Sequence, residues 1–110
     1  MAPRRLQWAM AALLVSTGCA AAAETVEVGI ENFAFRPPSL AVKAGTKIVF
    51  TNHDEVPHSV VGFRDGRLAF RSKEQLDTDE SFVVLAEKPG EIEINCGLHA
   101  LISGKIVVTP

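Results

Sequence analysis

The 110-residue sequence contains no tyrosine, one tryptophan, two methionines and two cysteines. Trp8, Met1, Met10 and Cys19 all lie in the first 23 residues. Residues 24–110 therefore contain neither tryptophan nor methionine, and their only cysteine is Cys96. A lone cysteine excludes a disulfide within that part of the chain. The single thiol is the first feature that requires a chemical explanation.

The first 23 residues have the features of an export signal rather than of a folded element. Arg4 and Arg5 form a positive region, and residues 8–15 form an apolar stretch that is too short to span a bilayer. Residues 20–23 are all alanine, as is typical of a cleavage site. We therefore predict that residues 1–23 are removed and that residues 24–110 form one domain in the periplasm.

A lipid anchor at Cys19 is an alternative to simple cleavage. Gly18-Cys19 loosely resembles a lipoprotein cleavage site, but Ser16 stands where leucine or valine is expected. We therefore expect a free periplasmic protein, with a lipid tether as the second hypothesis.

Basic residues are fewer than acidic residues in residues 24–110. Nine lysines and arginines stand against 13 acidic residues, which gives residues 24–110 a net charge of −4. This charge argues against a nucleic-acid partner, because nucleic-acid binding needs a basic face. No internal repeat, linker or transmembrane segment is visible. We expect a monomer.

Apolar and polar residues alternate along several short segments, as they do in half-buried β-strands. Val26, Val28 and Ile30 form one such segment, and Ile92, Ile94 and Cys96 form another. No long amphipathic helix is visible, although residues 73–76 could form one helical turn. Six to eight short strands in under a hundred residues predict an all-β sandwich or a small barrel. The remaining candidate strands are residues 40–42, 47–52, 60–61, 82–85 and 106–108.

A single cysteine is unusual in a protein that enters an oxidising compartment. Pairing with another molecule, a reactive thiol, a metal-bound thiolate and a small buried apolar side chain are the possible explanations. The strand alternation places Cys96 on the same face as Ile92 and Ile94, which is the core face. Its sulfur is therefore expected to point inward at the end of a strand.

Two histidines are candidates to join this sulfur in a metal site. His99 follows Cys96 by three residues in a short apolar loop, but such a pair is weak evidence by itself. His58 follows Pro57, whose ring stiffens the backbone around the imidazole. His53 lies in a polar turn, and we expect it to face solvent.

Several motifs in this order resemble the cupredoxins, and most of all the branch that contains amicyanin, pseudoazurin and plastocyanin. The resemblance covers essentially all of residues 24–110. It is carried by LAVKAGT (40–46), TNHDEVPHSV (51–60), FRS (70–72), SF (81–82), PGEIEINCGLH (89–99) and GKIVV (104–108).

The resemblance implies a Greek-key β-sandwich with one copper ion near one end. By the same motifs, His58, Cys96 and His99 correspond to the two imidazoles and the thiolate that hold copper. It also implies that the backbone N–H of Ser59 hydrogen-bonds the sulfur. Such a donor set serves both Cu(I) and Cu(II).

The fourth position departs from the family pattern. The family's weak axial methionine would stand at position 102, but Ile102 is there and residues 24–110 contain no methionine. We therefore expect a three-coordinate site, with the Pro57 carbonyl as a distant donor, and a raised reduction potential. Loss of metal, zinc in place of copper and a site that binds nothing are the alternatives that Ile102 favours.

The main functional prediction is an exported electron carrier with one copper ion and no enzymatic activity. The expected partner is a cytochrome c or dehydrogenase-like redox protein that docks near Leu98, His99 and Leu101, because this loop is apolar. The alternative is a periplasmic protein that buffers, delivers or detoxifies copper, and a structural module without metal is a further one. Catalysis is disfavoured because Cys96 faces the core.

Overall fold

The computed structural model describes residues 24–110, and these residues form nine β-strands and no helix. The helical turn expected at residues 73–76 is absent, since the backbone there is irregular. No helix in the described part of the chain could cross a membrane. The predicted export signal and Cys19 lie outside the described residues. The strands are β1 (Thr25–Ile30), β2 (Phe35–Arg36), β3 (Ser39–Lys43), β4 (Thr46–Asn52), β5 (Val61–Arg64), β6 (Arg67–Arg71), β7 (Ser81–Ala86), β8 (Gly90–Asn95) and β9 (Ser103–Thr109).

The strands form two mixed sheets, and the all-β sandwich predicted from the sequence is confirmed. One sheet has the order β2-β1-β4-β7 and the other has the order β3-β9-β8-β5-β6. Two of the pairings, β1 with β4 and β3 with β9, are parallel. The other pairings are antiparallel.

The core lies between the sheets, where the apolar members of the alternating strands meet. Because successive side chains of a strand point to opposite faces, the buried residues of β1, β4, β8 and β9 are two positions apart. The largest of these buried side chains are Ile30, Ile48, Phe50, Ile92, Ile94 and Ile106.

The strand count exceeds the six to eight that the sequence predicted, and β6 lies in the segment that the sequence pattern left irregular. Asp65 and Gly66 both have positive φ, 51° and 76°, and form the turn between β5 and β6. Asp-Gly is favoured in two-residue hairpin turns that require this backbone conformation. β6 is an edge strand whose residues are mostly exposed, so it lacks the alternation that reveals a half-buried strand.

The functional end of the sandwich is where β4 and β8 finish. β4 ends at Asn52 and leads into a loop over residues 53–60, and β8 ends at Asn95 and leads into a loop over residues 96–102. Val61, the first residue of β5, pairs with Asn95, the last residue of β8, so the first loop ends beside the start of the second. The cupredoxin-like motifs that carry His58, Cys96 and His99 therefore meet there.

Candidate metal centre

His58 is held by its own backbone as well as by the proline before it. Its N–H donates to the carbonyl of Leu76 at 3.1 Å, and its carbonyl accepts the N–H of Leu76 at 2.7 Å. This isolated bridge fixes the loop against the segment that precedes β7. The imidazole is completely buried, so its position is set by the fold and not by solvent.

Cys96 lies one residue beyond β8, on the core face, as the alternation predicted. The thiol is 2% exposed, and its Sγ accepts the backbone N–H of Ser59 at 3.3 Å. The Ser59 hydroxyl in turn accepts the N–H of Gly97 at 2.7 Å. A side chain at Gly97 would approach this hydroxyl to 2.7 Å, so the close contact between the two loops requires glycine. Ser59 thus ties the His58 loop to the Cys96 loop.

His99 belongs to a short loop that closes on itself. The N–H of Ile102 donates to the His99 carbonyl at 3.0 Å, and the N–H of Cys96 donates to the Ile102 carbonyl at 3.1 Å. The His99 imidazole is partly exposed, in contrast to His58. Its neighbours Leu98 and Leu101 are 43% and 98% exposed, which gives this end an apolar surface.

The three side chains predicted from the sequence converge on one point. The Nδ1 atoms of His58 and His99 are 3.1 Å apart, and Cys96 Sγ lies 3.6 Å and 3.7 Å from them. A triangle with these sides has its centre about 2.0 Å from each donor, close to the bond length between an imidazole nitrogen and a divalent metal ion. One thiolate and two imidazoles in this trigonal arrangement fit copper.

Asp54 is a part of the site that the sequence interpretation missed. Its carboxylate accepts a hydrogen bond from His58 Nε2 at 2.8 Å, so the Nδ1 atom of His58 keeps its lone pair for the metal. Partial burial raises the pKa of Asp54, but hydrogen bonds from Phe33, His58 and Asn32 outweigh burial and hold this pKa below its usual value. A carboxylate four residues before a metal-binding histidine was the available signal.

Phe33 is the second residue that the sequence interpretation missed. Its ring meets the imidazoles of His58 and His99 edge to face, with centroid separations of 5.4 Å and 5.2 Å. The phenyl group is 53% exposed, so one side covers the two imidazoles and the other faces solvent. No local pattern in the sequence indicates this contact, because it depends on the left-handed backbone of Phe33.

The other residues considered from the sequence take different places. His53 is exposed and contributes no donor to the cluster. Ile102, at the family's axial position, is 4% exposed and offers no donor atom. The three converging donors are therefore His58, Cys96 and His99, and they are the ones that the resemblance implies.

The side chain of Asn52 holds the loop that carries His58. Its side chain is completely buried, and its Nδ2 donates to the carbonyls of Val56 and Leu76 at 2.9 Å and 2.8 Å. Its Oδ1 accepts the N–H of Asp54 at 2.8 Å. One amide group thus satisfies three buried or partly buried backbone groups around the site.

Comparisons with known proteins agree with this geometry. A family model described as a cupredoxin-like domain matches residues 5–108. The chain is 30% identical over 89 residues to amicyanin from Paracoccus versutus, a match that covers 78% of this chain and 66% of that protein. It is 31% identical over 90 residues to amicyanin-alpha from Methylorubrum extorquens, covering 80% and 75% of the two chains.

Solved structures share the fold. The Cu(I) form of an amicyanin variant, in which a methionine is replaced by alanine, superposes with a TM-score of 0.69 at 23% identity. The match covers 76% of this chain and 81% of that one. The sandwich described above is therefore an arrangement already seen in proteins of known structure.

Replacing Asn52 by alanine should destabilise the protein by about 2–4 kcal/mol, because two carbonyls and one N–H lose their partners. Urea unfolding of the metal-free protein measures this loss. Thr51→Ala is the matched control, since its hydroxyl makes one exposed hydrogen bond with Ser81 at 2.8 Å. The control should lose less than about 1 kcal/mol. Equal stability of the two variants would contradict the role assigned to Asn52.

Proposed function

Since this chain belongs to the cupredoxin family, a family of electron carriers that bind one copper ion and are not enzymes, we propose that it is an exported one-electron carrier. His58, Cys96 and His99 bind the ion in this proposal. The observation that carries it is the triangle of three donor atoms, held by backbone hydrogen bonds of the protein. When bound, the ion supplies a Cu(I)/Cu(II) couple.

The protein's own contribution is to keep the donors in place while the charge of the site changes. The bridge between His58 and Leu76 fixes one donor, and the Ser59 N–H fixes the sulfur. Donors that do not move leave little to reorganise during electron transfer. The partly exposed His99 offers a route between the buried centre and the surface.

Burial of the donors supports electron transfer over copper delivery. His58 and Cys96 are 0% and 2% exposed, and residues 24–110 contain no methionine. Ser59 ties together the two loops that carry these donors, which opposes release of the ion. Electrons can leave through the edge of His99 without such a movement.

The proposed site of action is the periplasm, with residues 1–23 as the export signal and residues 24–110 as the copper domain. The support is the sequence pattern of the first 23 residues. Lipid attachment at Cys19 remains the alternative, and mass spectrometry of the exported protein distinguishes a free amino terminus at residue 24 from an acylated one.

The proposed docking surface for a redox partner surrounds His99 and includes Leu98 and Leu101. Charge around this surface supports a basic partner such as a c-type cytochrome. The segments around the metal centre, residues 31–36, 53–60, 71–80 and 97–102, carry seven carboxylates and three basic groups, whereas the rest of residues 24–110 carries six of each. The net charge of −4 is thus concentrated at the end that would meet the partner.

Titration of the metal-free protein with Cu(II) tests the proposal. An intense thiolate-to-copper absorption band should grow and saturate at about one equivalent, because one trigonal site binds one ion. Cys96→Ser should abolish the band, and His53→Ala, which removes a histidine outside the cluster, should leave it unchanged. A missing band in the wild-type protein, or one that survives Cys96→Ser, would refute the site.

Ile102→Met should lower the reduction potential by roughly 60 mV or more, which corresponds to a tenfold stabilisation of Cu(II) over Cu(I). The reason is that a thioether adds a donor where isoleucine has none. Redox titration of the two proteins measures the difference. Ile102→Leu is the control, since it changes shape without adding a donor, and similar potentials for the methionine and leucine variants would contradict this explanation.

Leu101→Ser should slow electron transfer to a basic c-type cytochrome about tenfold, because an apolar contact is lost from the docking surface. Stopped-flow kinetics at low and high salt measure the bimolecular rate constant. The wild-type rate should fall as salt increases, since opposite charges attract the partners. Leu68→Ser, at the far end of the sandwich, is the control. An unchanged rate for Leu101→Ser would place docking elsewhere.

A further inference from the structure

The carboxylate of Asp54 serves two segments of the chain at once. Its Oδ2 accepts hydrogen bonds from His58 Nε2 at 2.8 Å and from the backbone N–H of Phe33 at 2.9 Å. Its Oδ1 accepts the backbone N–H of Asn32 at 2.6 Å. Three donors therefore converge on one side chain that is only 11% exposed.

This set of partners requires a side chain that accepts at both of its terminal atoms. An ionised carboxylate has two acceptor oxygens and no donor, whereas an asparagine amide has one acceptor and one donor. Asparagine at position 54 could satisfy either Asn32 or the pair formed by Phe33 and His58, but not both. The interaction thus selects a carboxylate by chemistry and not only by shape.

The turn that contacts Asp54 is strained, and the strain points to a function. Asn32 and Phe33 both have left-handed backbone conformations, with φ of 54° and 58°. This region is unfavourable for a residue with a Cβ, and it is especially uncommon for a bulky one. This backbone conformation places the Phe33 ring against both imidazoles. The two hydrogen bonds to Asp54 offset the strain of the left-handed backbone.

The backbone of Asp54 is held in place by two further hydrogen bonds. Its N–H donates to the buried Asn52 side chain at 2.8 Å, and its carbonyl accepts the Thr78 hydroxyl at 2.6 Å. The carboxylate therefore projects from an anchored piece of backbone, and the side chain has little freedom left to lose.

We propose that Asp54 is a positioning residue of the copper site, which holds His58 in the Nε2–H tautomer and fixes Phe33 as a cover over both imidazoles. This inference rests on the copper site proposed above. Removing the carboxylate should loosen the imidazole and the cover together, because one oxygen holds both.

The first test needs no variant and no metal. Nitrogen-15 NMR of the metal-free wild-type protein should show His58 protonated at Nε2, with an exchange-protected proton, because the carboxylate accepts there. Nuclear Overhauser contacts should connect the Phe33 ring to both imidazoles. Protonation of His58 at Nδ1 only, or absence of the contacts from Phe33, would overturn the proposal.

The second test compares Asp54→Asn with Glu55→Gln, which removes the same charge from the exposed neighbouring side chain. In Asp54→Asn we expect the Phe33 contacts or the protected Nε2 proton to be lost, since the amide cannot satisfy all three donors. Copper affinity should fall about 10–100-fold, as is typical when the partner of a metal-binding histidine is removed. Glu55→Gln should change the affinity less than about twofold, and Asp54→Glu should restore part of it.

The outcomes separate the two proposals. Wild-type protein with the expected NMR contacts but no copper binding would refute the copper site and leave the arrangement of Asp54 standing. Asp54→Asn protein with wild-type contacts, Nε2 proton and affinity would overturn the role of Asp54 and leave the copper site intact. If Asp54→Asn does not fold, the NMR measurement on the wild-type protein still decides the proposal.

Discussion

The antiparallel pairing of β5 with β8 is the constraint on which the metal centre depends. Val61 pairs with Asn95, so Ser59 lies two residues before a fixed pair and Cys96 lies one residue after it. This register brings the Ser59 N–H to the sulfur and the His58 loop to the Cys96 loop. The separation of the donors is therefore set by strand register.

The polar end and the apolar middle of the sandwich are held together by different forces. Between the sheets, burial of apolar strand residues stabilises the fold. Around the metal centre, the buried groups include Asn52, His58, Ser59 and Ser72, and these depend on hydrogen bonds that each contribute about 1 kcal/mol net. A small domain has a thin margin of stability, so a bound ion that prefers the folded state adds to it directly.

How well the sequence predicted each feature depends on how close together in the chain the residues that produce it lie. The inward direction of Cys96 was predictable, because Ile92 and Ile94 alternate with it. The meeting of His58 and Cys96 was not a local property, since 38 positions separate them, and it was predicted through the family motifs. The cover formed by Phe33 was missed because it depends on left-handed torsions and on a carboxylate 21 positions away.

The ionised Asp54 has a consequence for the electrostatic balance of the site. A thiolate and this carboxylate carry two negative charges, which neutralise a divalent ion but leave one excess negative charge when the ion is monovalent. A buried excess charge is unfavourable, so the carboxylate favours the oxidised state. At the proposed site, isoleucine in place of the thioether would favour the reduced state. In the proposed site the two effects oppose each other, and the potential would reflect a compensation between a ligand that is absent and a charge that is present.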